Sequence, residues 1–401
     1  MTDLPGTELP QLVLRRHEDK RIRGGHAWVF SNEIDTAATP LSSIDPGAAV
    51  MVLDHRRQFL AYALANPHAL ICARIMSRDV AVPIGSELLA ARLRSALALR
   101  ERYCGGRHYR LVYGESDGLP GLVVDRFGDV LVGQIATLAM EQRRALIEAA
   151  LQEVVGMTTL VWKNDTGARD LEALPHEVHA LAGEVPALVD VVEAGLSFQA
   201  PLGAGQKTGW FYDQTANRAA LRGFLQPGSR VLDVCSYVGG WAVGALGAGA
   251  AAALCVDSST AALDAATANA LRNGHTLETR RGDAFDVLEA LHAEGRQFDV
   301  LVVDPPAFVK RRKDLPKGEA AYRKLNQLAL RLAADEALLV SCSCSWHLPA
   351  EHLPELLQSA AASTGRELRI IAQGGQSPDH PVHPAMPETR YLKTLFARVS
   401  R

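Results

Sequence analysis

The sequence predicts a multidomain chain: a small, mostly β domain, a central α+β domain and a C-terminal α/β domain with a doubly wound parallel sheet. Three observations predict this fold class. Short apolar runs alternate with turn residues at the start, strands and helices mix in the middle, and strand-helix units alternate regularly from about Val189. The expected domain boundaries are 1–80, 81–186 and 187–401.

The composition indicates an ordinary globular protein. Of the 401 residues, 48% are hydrophobic and 22% are charged, and the formal net charge of -3 confines any nucleic-acid surface to a local patch. The first ten residues lack a signal-peptide pattern, and the apolar stretch 242–256 is shorter than a bilayer span, so we expect no membrane association. Six scattered cysteines without a CxxC pair predict a reducing, cytoplasmic location and no metal site.

Turn residues and helical spacing define the first two domains. The predicted strands of the first domain are "LVLRR" (12–16), "AWVF" (27–30), "AAVMVLD" (48–54) and "FLAYALA" (59–65). The central domain begins with a helix whose apolar positions are Leu88, Leu89, Leu93, Leu97 and Leu99. Strands separated by glycine turns within 111–135, a helix over 139–154 and a strand over 158–165 complete it.

Strand-helix units fill the C-terminal domain. They are predicted at 229–246, 252–274, 276–295 and 298–332, and the run "EALLVSCSCS" (336–345) adds a last strand. In such sheets, ligands bind outside the carboxyl ends of the strands, where the strand order reverses. The candidate site residues therefore lie at the strand ends.

Two of these strand ends carry glycine or acidic residues suited to a nucleoside cofactor. "DVCSYVGG" (233–240) lacks the GxGxxG fingerprint, which weakens a nicotinamide cofactor, but its glycines allow close approach of the backbone to a ligand. Asp257 is predicted to bind ribose hydroxyls, with a helix N-cap as the alternative role that Ser258 or Ser259 could fill instead. Asp283 is a candidate for the adenine amino group, with a turn or cap role as its alternative.

"LVVDPPAFVK" (301–310) is the most specific motif. Apolar residues run into Asp304, and Pro305 and Pro306 then end the strand because proline cannot continue a central ladder. Phe308 and Lys310 follow. A fixed acceptor beside an aromatic ring suits a planar nucleobase, which needs hydrogen bonds at its edge and stacking on its face.

Together these motifs resemble a known family. "DPPAF", "DVCSYVGGW", "GQKTGWFYDQTANR" (205–218), "ESDGLPGLVVDRFGD" (115–129) and "SCS" before "WHL" are similar to the RlmI-type methyltransferases of 23S ribosomal RNA. "RIRGGHAWVFSNEI" (21–34) is similar to that family's N-terminal PUA domain, an RNA-binding module, although Ala27 stands where proline is expected. The resemblance covers nearly the whole chain. It implies a Rossmann-like class I methyltransferase domain that uses S-adenosylmethionine to methylate carbon 5 of a cytosine.

The resemblance also implies roles for individual residues. Asp304 would lie between the cofactor and the base, and the strand ending at Asp304 would neighbour the strand ending at Cys344. The implied cofactor-binding residues are Asp233, Cys235, Ser236, Tyr237, Gly239, Asp257, Ser258, Asp283, Ala284, Asp304, Lys207, Thr208 and Gln214. The implied RNA-contacting residues are Pro305, Pro306, Phe308, Lys310, Arg311, Arg16 and Arg23, the last four in basic clusters.

The paired cysteines acquire a chemical role from the resemblance. Carbon 5 of cytosine is a poor nucleophile until a thiolate adds to carbon 6, and covalent catalysis of this kind divides one difficult step into two easier ones. Cys344 aligns with the family nucleophile and is preferred over Cys342, while Asp304 would stabilise the adduct. Without the resemblance, both cysteines would be better interpreted as small apolar side chains that fill the core.

Rival functions remain open. A related enzyme that methylates guanine would need no thiol, and an RNA-binding assembly factor would have lost the cofactor. A dinucleotide oxidoreductase lacks its glycine fingerprint. The expected partner is large-subunit ribosomal RNA. The target nucleotide and the oligomeric state stay open, with a homodimer among the alternatives.

Overall fold

The computed structural model describes residues 9–203, 205 and 208–401, which form two compact units. The first unit is formed by the described residues of 1–189, 202–210 and 378–389. The second is formed by 190–201, 211–377 and 390–401. The expected boundary near residue 80 lies inside the first unit, and the three-domain division stays a prediction.

Two five-stranded sheets form the first unit. Its elements are β1 (Gln11–Val13), α1 (Asp19–Arg23), β2 (Trp28–Phe30), β3 (Ala49–Leu53), β4 (Phe59–Ala65), β5 (Ile71–Ser77), α2 (Ser86–Tyr103), β6 (His108–Tyr113), β7 (Leu122–Phe127), β8 (Val130–Ile135), α3 (Leu138–Glu141), α4 (Arg144–Val155), β9 (Thr159–Asn164) and β10 (Glu177–Ala180). The strand orders are β1-β3-β4-β5-β2 and β10-β9-β8-β7-β6. Within them only β1–β3 and β8–β9 pair in parallel among the described strands.

The predicted apolar positions form the cores of this unit. Leu88, Leu89 and Leu93 of α2 pack with the second sheet, because their spacing places them on one face of the helix. Leu64 and Met76 of the first sheet belong to the same apolar cluster. The two sheets therefore share part of one core, which explains why they form a single compact unit.

The remaining elements include a hairpin and a seven-stranded sheet with its helices. They are β11 (Leu188–Glu193), β12 (Leu196–Pro201), α5 (Thr215–Phe224), β13 (Arg230–Val234), α6 (Gly240–Leu246), β14 (Ala252–Asp257), α7 (Thr260–Arg272), β15 (Glu278–Arg281), α8 (Ala284–Ala293), β16 (Phe298–Val303), α9 (Leu315–Arg331), β17 (Ala333–Ser343), α10 (His352–Ala362), β18 (Glu367–Gly374) and β19 (Lys393–Ser400). The order of the large sheet is β15-β14-β13-β16-β17-β19-β18.

The large sheet confirms the predicted α/β architecture but is not wholly parallel. β15, β14, β13, β16 and β17 pair in parallel, whereas β19 is antiparallel to both β17 and β18. The predicted parallel sheet is therefore present over five strands, and β19 adds an apolar antiparallel strand, because a central position between two strands buries an apolar run whatever its direction. The strand order reverses between β13 and β16, where the fold class is expected to bind its ligand.

Burial on both faces explains the continuous apolar strands. Along β16, Val300 and Val302 pack in one cluster, while Leu301 and Val303 pack in another on the opposite face. Within the described part of the chain, no helix has both the length and the apolar character required to cross a membrane.

Candidate active site

Two neighbouring strands bring the candidate acid and the candidate thiol together. β16 and β17 pair in parallel, with Val303 opposite Ser341, so the segments after both strands leave the same edge of the sheet. The expected adjacency of the strands that lead to Asp304 and Cys344 is therefore confirmed. This edge contains both groups on which a covalent mechanism would depend.

The turn between β13 and α6 holds its backbone in unusual conformations. Cys235, Tyr237 and Gly239 have φ angles of 63°, 48° and 81°, which side-chain-bearing residues rarely adopt. A Cβ at Gly239 would lie 2.9 Å from the Cβ of Ala266, so glycine is required there for space as well as conformation. Strained turns of this kind persist where the surrounding structure fixes them, commonly at ligand sites.

Asp257 holds two backbone segments, the turn before α6 and the segment before α7. The Tyr237 backbone N–H donates to Asp257 Oδ2 at 2.9 Å, and the Ser259 N–H donates to Oδ1 at 2.9 Å. Ser259 is the N-cap of α7, accepting from the Ala262 N–H at 3.2 Å, while Ser258 is exposed. Ser259, rather than Asp257, therefore caps the helix.

The other two acids of this region differ in exposure. Asp283 is exposed and caps α8 by accepting from the Phe285 N–H at 2.9 Å, and Ala284 is the first residue of that helix. Asp233 is fully buried, and its Oδ2 accepts from the Ala242 N–H at 3.1 Å. The pKa of Asp233 is raised to about 8, chiefly by burial and also by the nearby carboxylates of Asp304 and Asp257.

Asp304 is held by two side chains from different elements. Gln214 Nε2 donates to Asp304 Oδ2 at 3.0 Å, and Trp241 Nε1 donates to the same oxygen at 3.1 Å. Neither of these two hydrogen bonds involves the other oxygen, Oδ1. The carboxyl group is thus fixed through one oxygen, and the second is left for a ligand.

The surroundings of Asp304 favour its neutral form. Burial raises the pKa of Asp304 to about 6, and Asp213 adds to the rise, while Trp241, Arg218 and Gln214 oppose it. A carboxyl group with this pKa exchanges its proton near neutral pH. It can therefore donate a proton to a ligand nitrogen and accept a hydrogen bond from an amino group.

Side-chain and backbone hydrogen bonds connect the segment after Asp304 to the segment after Cys344. Ser345 Oγ accepts from the Val309 N–H at 3.0 Å and lies 2.9 Å from the Tyr322 hydroxyl. α9 packs closely against the first segment at Gly318, where a Cβ would lie 2.3 Å from Val309 Cγ2. The two segments are therefore fixed with respect to each other.

The two cysteines of β17 and its following loop lie in different surroundings. Cys342 is fully buried, its sulfur is 3.5 Å from Thr394 Oγ1, and burial raises its pKa. Cys344 lies one residue beyond the end of β17 and is half-buried, with its sulfur 3.9 Å from the Pro305 carbonyl oxygen. Of the two, Cys344 is the less buried residue, and its sulfur lies beside the Asp304 segment, as a nucleophile requires.

Comparison with known proteins identifies the family. Residues 12–78 match the PUA-like domain, and residues 152–396 match the S-adenosylmethionine-dependent methyltransferase family. The ribosomal RNA large subunit methyltransferase I proteins of Salmonella arizonae and Salmonella schwarzengrund are each 34% identical to this chain over 406 residues, covering 100% of both proteins. The chain belongs to the S-adenosylmethionine-dependent methyltransferases. The expected cofactor, fold class and N-terminal PUA-like domain are thereby confirmed.

Solved structures share the fold of this methyltransferase. A candidate S-adenosylmethionine-dependent methyltransferase from Streptococcus mutans has a TM-score of 0.81 at 19% identity, covering 97% of this chain and 100% of that chain. A candidate methyltransferase complexed with SAH has a TM-score of 0.83 with the same identity and coverage.

The residues at the carboxyl ends of β13, β14 and β15 fit a methyltransferase cofactor. S-adenosylmethionine presents ribose hydroxyls and an adenine amino group, all of which donate hydrogen bonds. Asp257 and Asp283 retain acceptor capacity, since each carboxylate oxygen has two lone pairs and at most one is used by a backbone N–H. Their contacts with the cofactor, like those of Asp233, Cys235, Ser236, Tyr237 and Gly239, stay predictions.

Other predicted site residues lie in varied surroundings. Lys207 is outside the described residues, and the buried Thr208 donates its hydroxyl proton to Asp125 in the first unit. Phe308 packs against Tyr322, with ring centroids 4.8 Å apart. Its stacking on a base, and the cofactor contacts of Lys207 and Thr208, stay predictions.

The residues predicted to contact RNA are mostly exposed. Arg16, Lys310, Arg311 and Pro306 are exposed, whereas Pro305 is buried. Arg23 forms ion pairs with Asp19 at 2.6 Å and Asp54 at 2.8 Å, and Arg311 pairs with Asp314 at 3.0 Å. Surface pairs of this kind are weak enough to exchange for a phosphate, and RNA contact by these residues stays a prediction.

The sequence interpretation missed two residues of the site. Trp241 directly follows the "DVCSYVGG" segment, so its indole N–H could have been considered as a partner for Asp304. Lys393, at the start of β19, donates to the Ser345 carbonyl at 2.5 Å and the Leu348 carbonyl at 3.1 Å. Nothing in the local sequence indicates that Lys393 reaches the loop that begins at Cys344.

Proposed function

We propose that this methyltransferase transfers a methyl group to carbon 5 of a cytosine in large-subunit ribosomal RNA, with Cys344 as the nucleophile. The proposal is carried by one observation: the half-buried sulfur of Cys344 lies 3.9 Å from the carbonyl of Pro305, the residue that follows Asp304. The RNA substrate is supported by the PUA-like domain and by the name of the full-length relatives. A cytoplasmic location remains part of the proposal.

The chemistry begins with activation of the base. The Cys344 thiolate adds to carbon 6 of the cytosine, and the ring electrons move to make carbon 5 nucleophilic. When bound, S-adenosylmethionine supplies an electrophilic methyl group for that carbon. Removal of the carbon 5 proton then restores the ring double bond and expels the thiolate, which leaves 5-methylcytosine.

Asp304 has the properties needed to hold the base during these steps. The protonated carboxyl donates through Oδ1 to N3 of the cytosine, where electron density increases as the thiolate adds. Gln214 and Trp241 hold Oδ2, so the carboxyl cannot rotate away. Uracil has N–H at position 3 and would place two hydrogens against each other, so the protonated acid favours cytosine.

Nucleoside analysis tests the proposal. The purified chain is incubated with S-adenosylmethionine and unmodified large-subunit ribosomal RNA, and the digested RNA is analysed by mass spectrometry. We expect 5-methylcytidine that is absent without the cofactor. A methylguanosine product would instead favour the guanine enzyme, and cofactor binding without any product would contradict the proposal. Failure of the chain to bind S-adenosylmethionine in calorimetry would favour an assembly factor.

A further inference from the structure

Lys393 occupies an unusual position for a lysine. It pairs with Ser343 across β17 and β19, which places it next to the loop that begins at Cys344. Its ammonium is half-buried and donates to the carbonyl oxygens of Ser345 and Leu348, at 2.5 and 3.1 Å. These two bonds join β19 to both ends of the segment 345–348.

Within the described part of the chain, no acid pairs with the ammonium of Lys393. Among the described residues, the charged groups that act on it are Cys344 and Arg390, and burial lowers its pKa to about 8. Burial of an unpaired ammonium is unfavourable, and a lysine on an exposed edge would avoid it. The thiol of Cys344, which follows the strand partner Ser343 and can become an anion, is one of the groups that act on Lys393.

The thiol of Cys344 needs such a charge. Its sulfur faces the Pro305 carbonyl oxygen at 3.9 Å, and a carbonyl dipole favours the neutral S–H over the thiolate. Among the described residues, Tyr322 on α9 and Cys342 on β17 also interact electrostatically with Cys344, and Arg390 acts on Lys393. Tyr322 and Cys342 are neutral or negative, whereas the Lys393 ammonium is positive and favours the thiolate.

We infer that Lys393 is a positioning residue for Cys344: its ammonium fixes the 344–348 loop through two carbonyls and stabilises the Cys344 thiolate. The inference rests on the proposed function, in which that thiolate attacks the base. The charge of Lys393 and its hydrogen bonds are separable, because glutamine can donate to a carbonyl without charge and arginine keeps the charge.

The test measures the reactivity of Cys344 without RNA. Iodoacetamide alkylates thiolates, as the sulfur displaces iodide and forms a carbon–sulfur bond. The rate at Cys344 is followed from pH 6 to 10 in the full-length chain, and fragment ions distinguish it from Cys342. Lys393→Gln, Lys393→Met and Lys393→Arg are compared with Lys324→Met, which removes an exposed lysine paired with Glu289 on α8.

We expect the midpoint of the pH–rate profile to rise by about one pH unit in both Lys393→Gln and Lys393→Met, because removal of a nearby opposite charge shifts a pKa by about 1 to 3 units. Lys393→Arg stays charged across the whole pH range and should not raise the midpoint, and Lys324→Met should keep the wild-type midpoint. If Lys393→Gln melts like the wild type and keeps its midpoint, the inference is wrong. If Lys393→Met unfolds, Lys393→Gln and Lys393→Arg still decide the question.

The alkylation experiment distinguishes failure of this inference from failure of the proposed function. Loss of the midpoint shift would overturn the role of Lys393 even if Cys344 forms an adduct with RNA. Conversely, a shift in a chain whose Cys344→Ala variant retains full methyl transfer would support the electrostatic role and contradict the proposed nucleophile.

Discussion

The carboxyl edge of the seven-stranded sheet has two halves that are built differently. In the cofactor half, after β13, β14 and β15, the acids Asp233, Asp257 and Asp283 accept backbone N–H groups within the same half. In the thiol half, after β16 and β17, Asp304 and the Cys344 loop are held by side chains from distant elements: Gln214, Trp241 and Lys393. The cofactor half is held by bonds between its own backbone and carboxylates, including one from Tyr237 to Asp257, while the thiol half depends on side chains from distant elements.

Substitution of the two cysteines tests the thiol half most strongly. Cys344→Ala should lower turnover by roughly 10³-fold or more, because it removes the attacking group of the covalent mechanism. Cys342→Ala is the matched control: it removes a buried sulfur and should cost only about 1 kcal/mol of stability. Turnover is measured by methyl transfer to ribosomal RNA. Equal losses in the two variants would contradict the difference assigned to the cysteines.

Asp304→Asn tests the acid of the same half. We expect turnover to fall roughly 100-fold, since the amide cannot transfer a proton to N3. The pH dependence shows which form of Asp304 is active. If protonated Asp304 and ionised Cys344 are both required, kcat/KM should rise to about pH 6 and then level off. Above that pH the fraction of protonated Asp304 falls as the fraction of ionised Cys344 rises. In Asp304→Asn the rise should continue above pH 7.

A steeper rise below pH 6 that continues through neutral pH in the wild type would instead indicate that the ionised form of Asp304 is active. Affinity for S-adenosylmethionine is the control in this experiment. It should change little, because the Asp304 carboxyl is assigned to the base.

Asp257→Ala tests the cofactor half. The affinity for S-adenosylmethionine, measured by calorimetry, should fall about 10-fold, the usual effect of losing a hydrogen bond to a charged group. Asp257→Asn keeps an acceptor oxygen and should lose less. An unchanged affinity in Asp257→Ala would show that this carboxylate serves only the turn at Tyr237 and the segment before α7.

The last effect, at Asp233, is expected on stability rather than on turnover. Its pKa is raised from 3.8 to about 8 by burial, so the folded chain binds a proton that the unfolded chain releases above pH 4. Its contribution to stability is therefore present at pH 4 and is lost as the pH rises to 8. The melting temperature of the wild type should fall more between pH 5 and 8 than that of Asp233→Asn; parallel curves would contradict this assignment.

The difference between the cofactor half and the thiol half explains which features could be predicted from the sequence. Strand alternation, the turn at Gly239 and the caps at Ser259 and Asp283 depend on neighbours in sequence, so their patterns are visible in it. The preference for Cys344 came from a family resemblance, and the structure adds the difference in burial from Cys342. The contact of Lys393 with Ser345 and the reversed direction of β19 depend on strand pairing, which local patterns do not determine.

The most direct test of the account is to trap the bond between Cys344 and the base. Ribosomal RNA made with 5-fluorocytidine is incubated with the chain and S-adenosylmethionine, and the denatured products are analysed by mass spectrometry. Fluorine cannot leave carbon 5 as a proton does, so the adduct should persist. We expect the nucleotide to be attached to Cys344 only when the cofactor is present. The Cys344→Ala variant should form no adduct. Methylation of ordinary RNA without any such adduct, or an adduct on Cys342, would contradict the account.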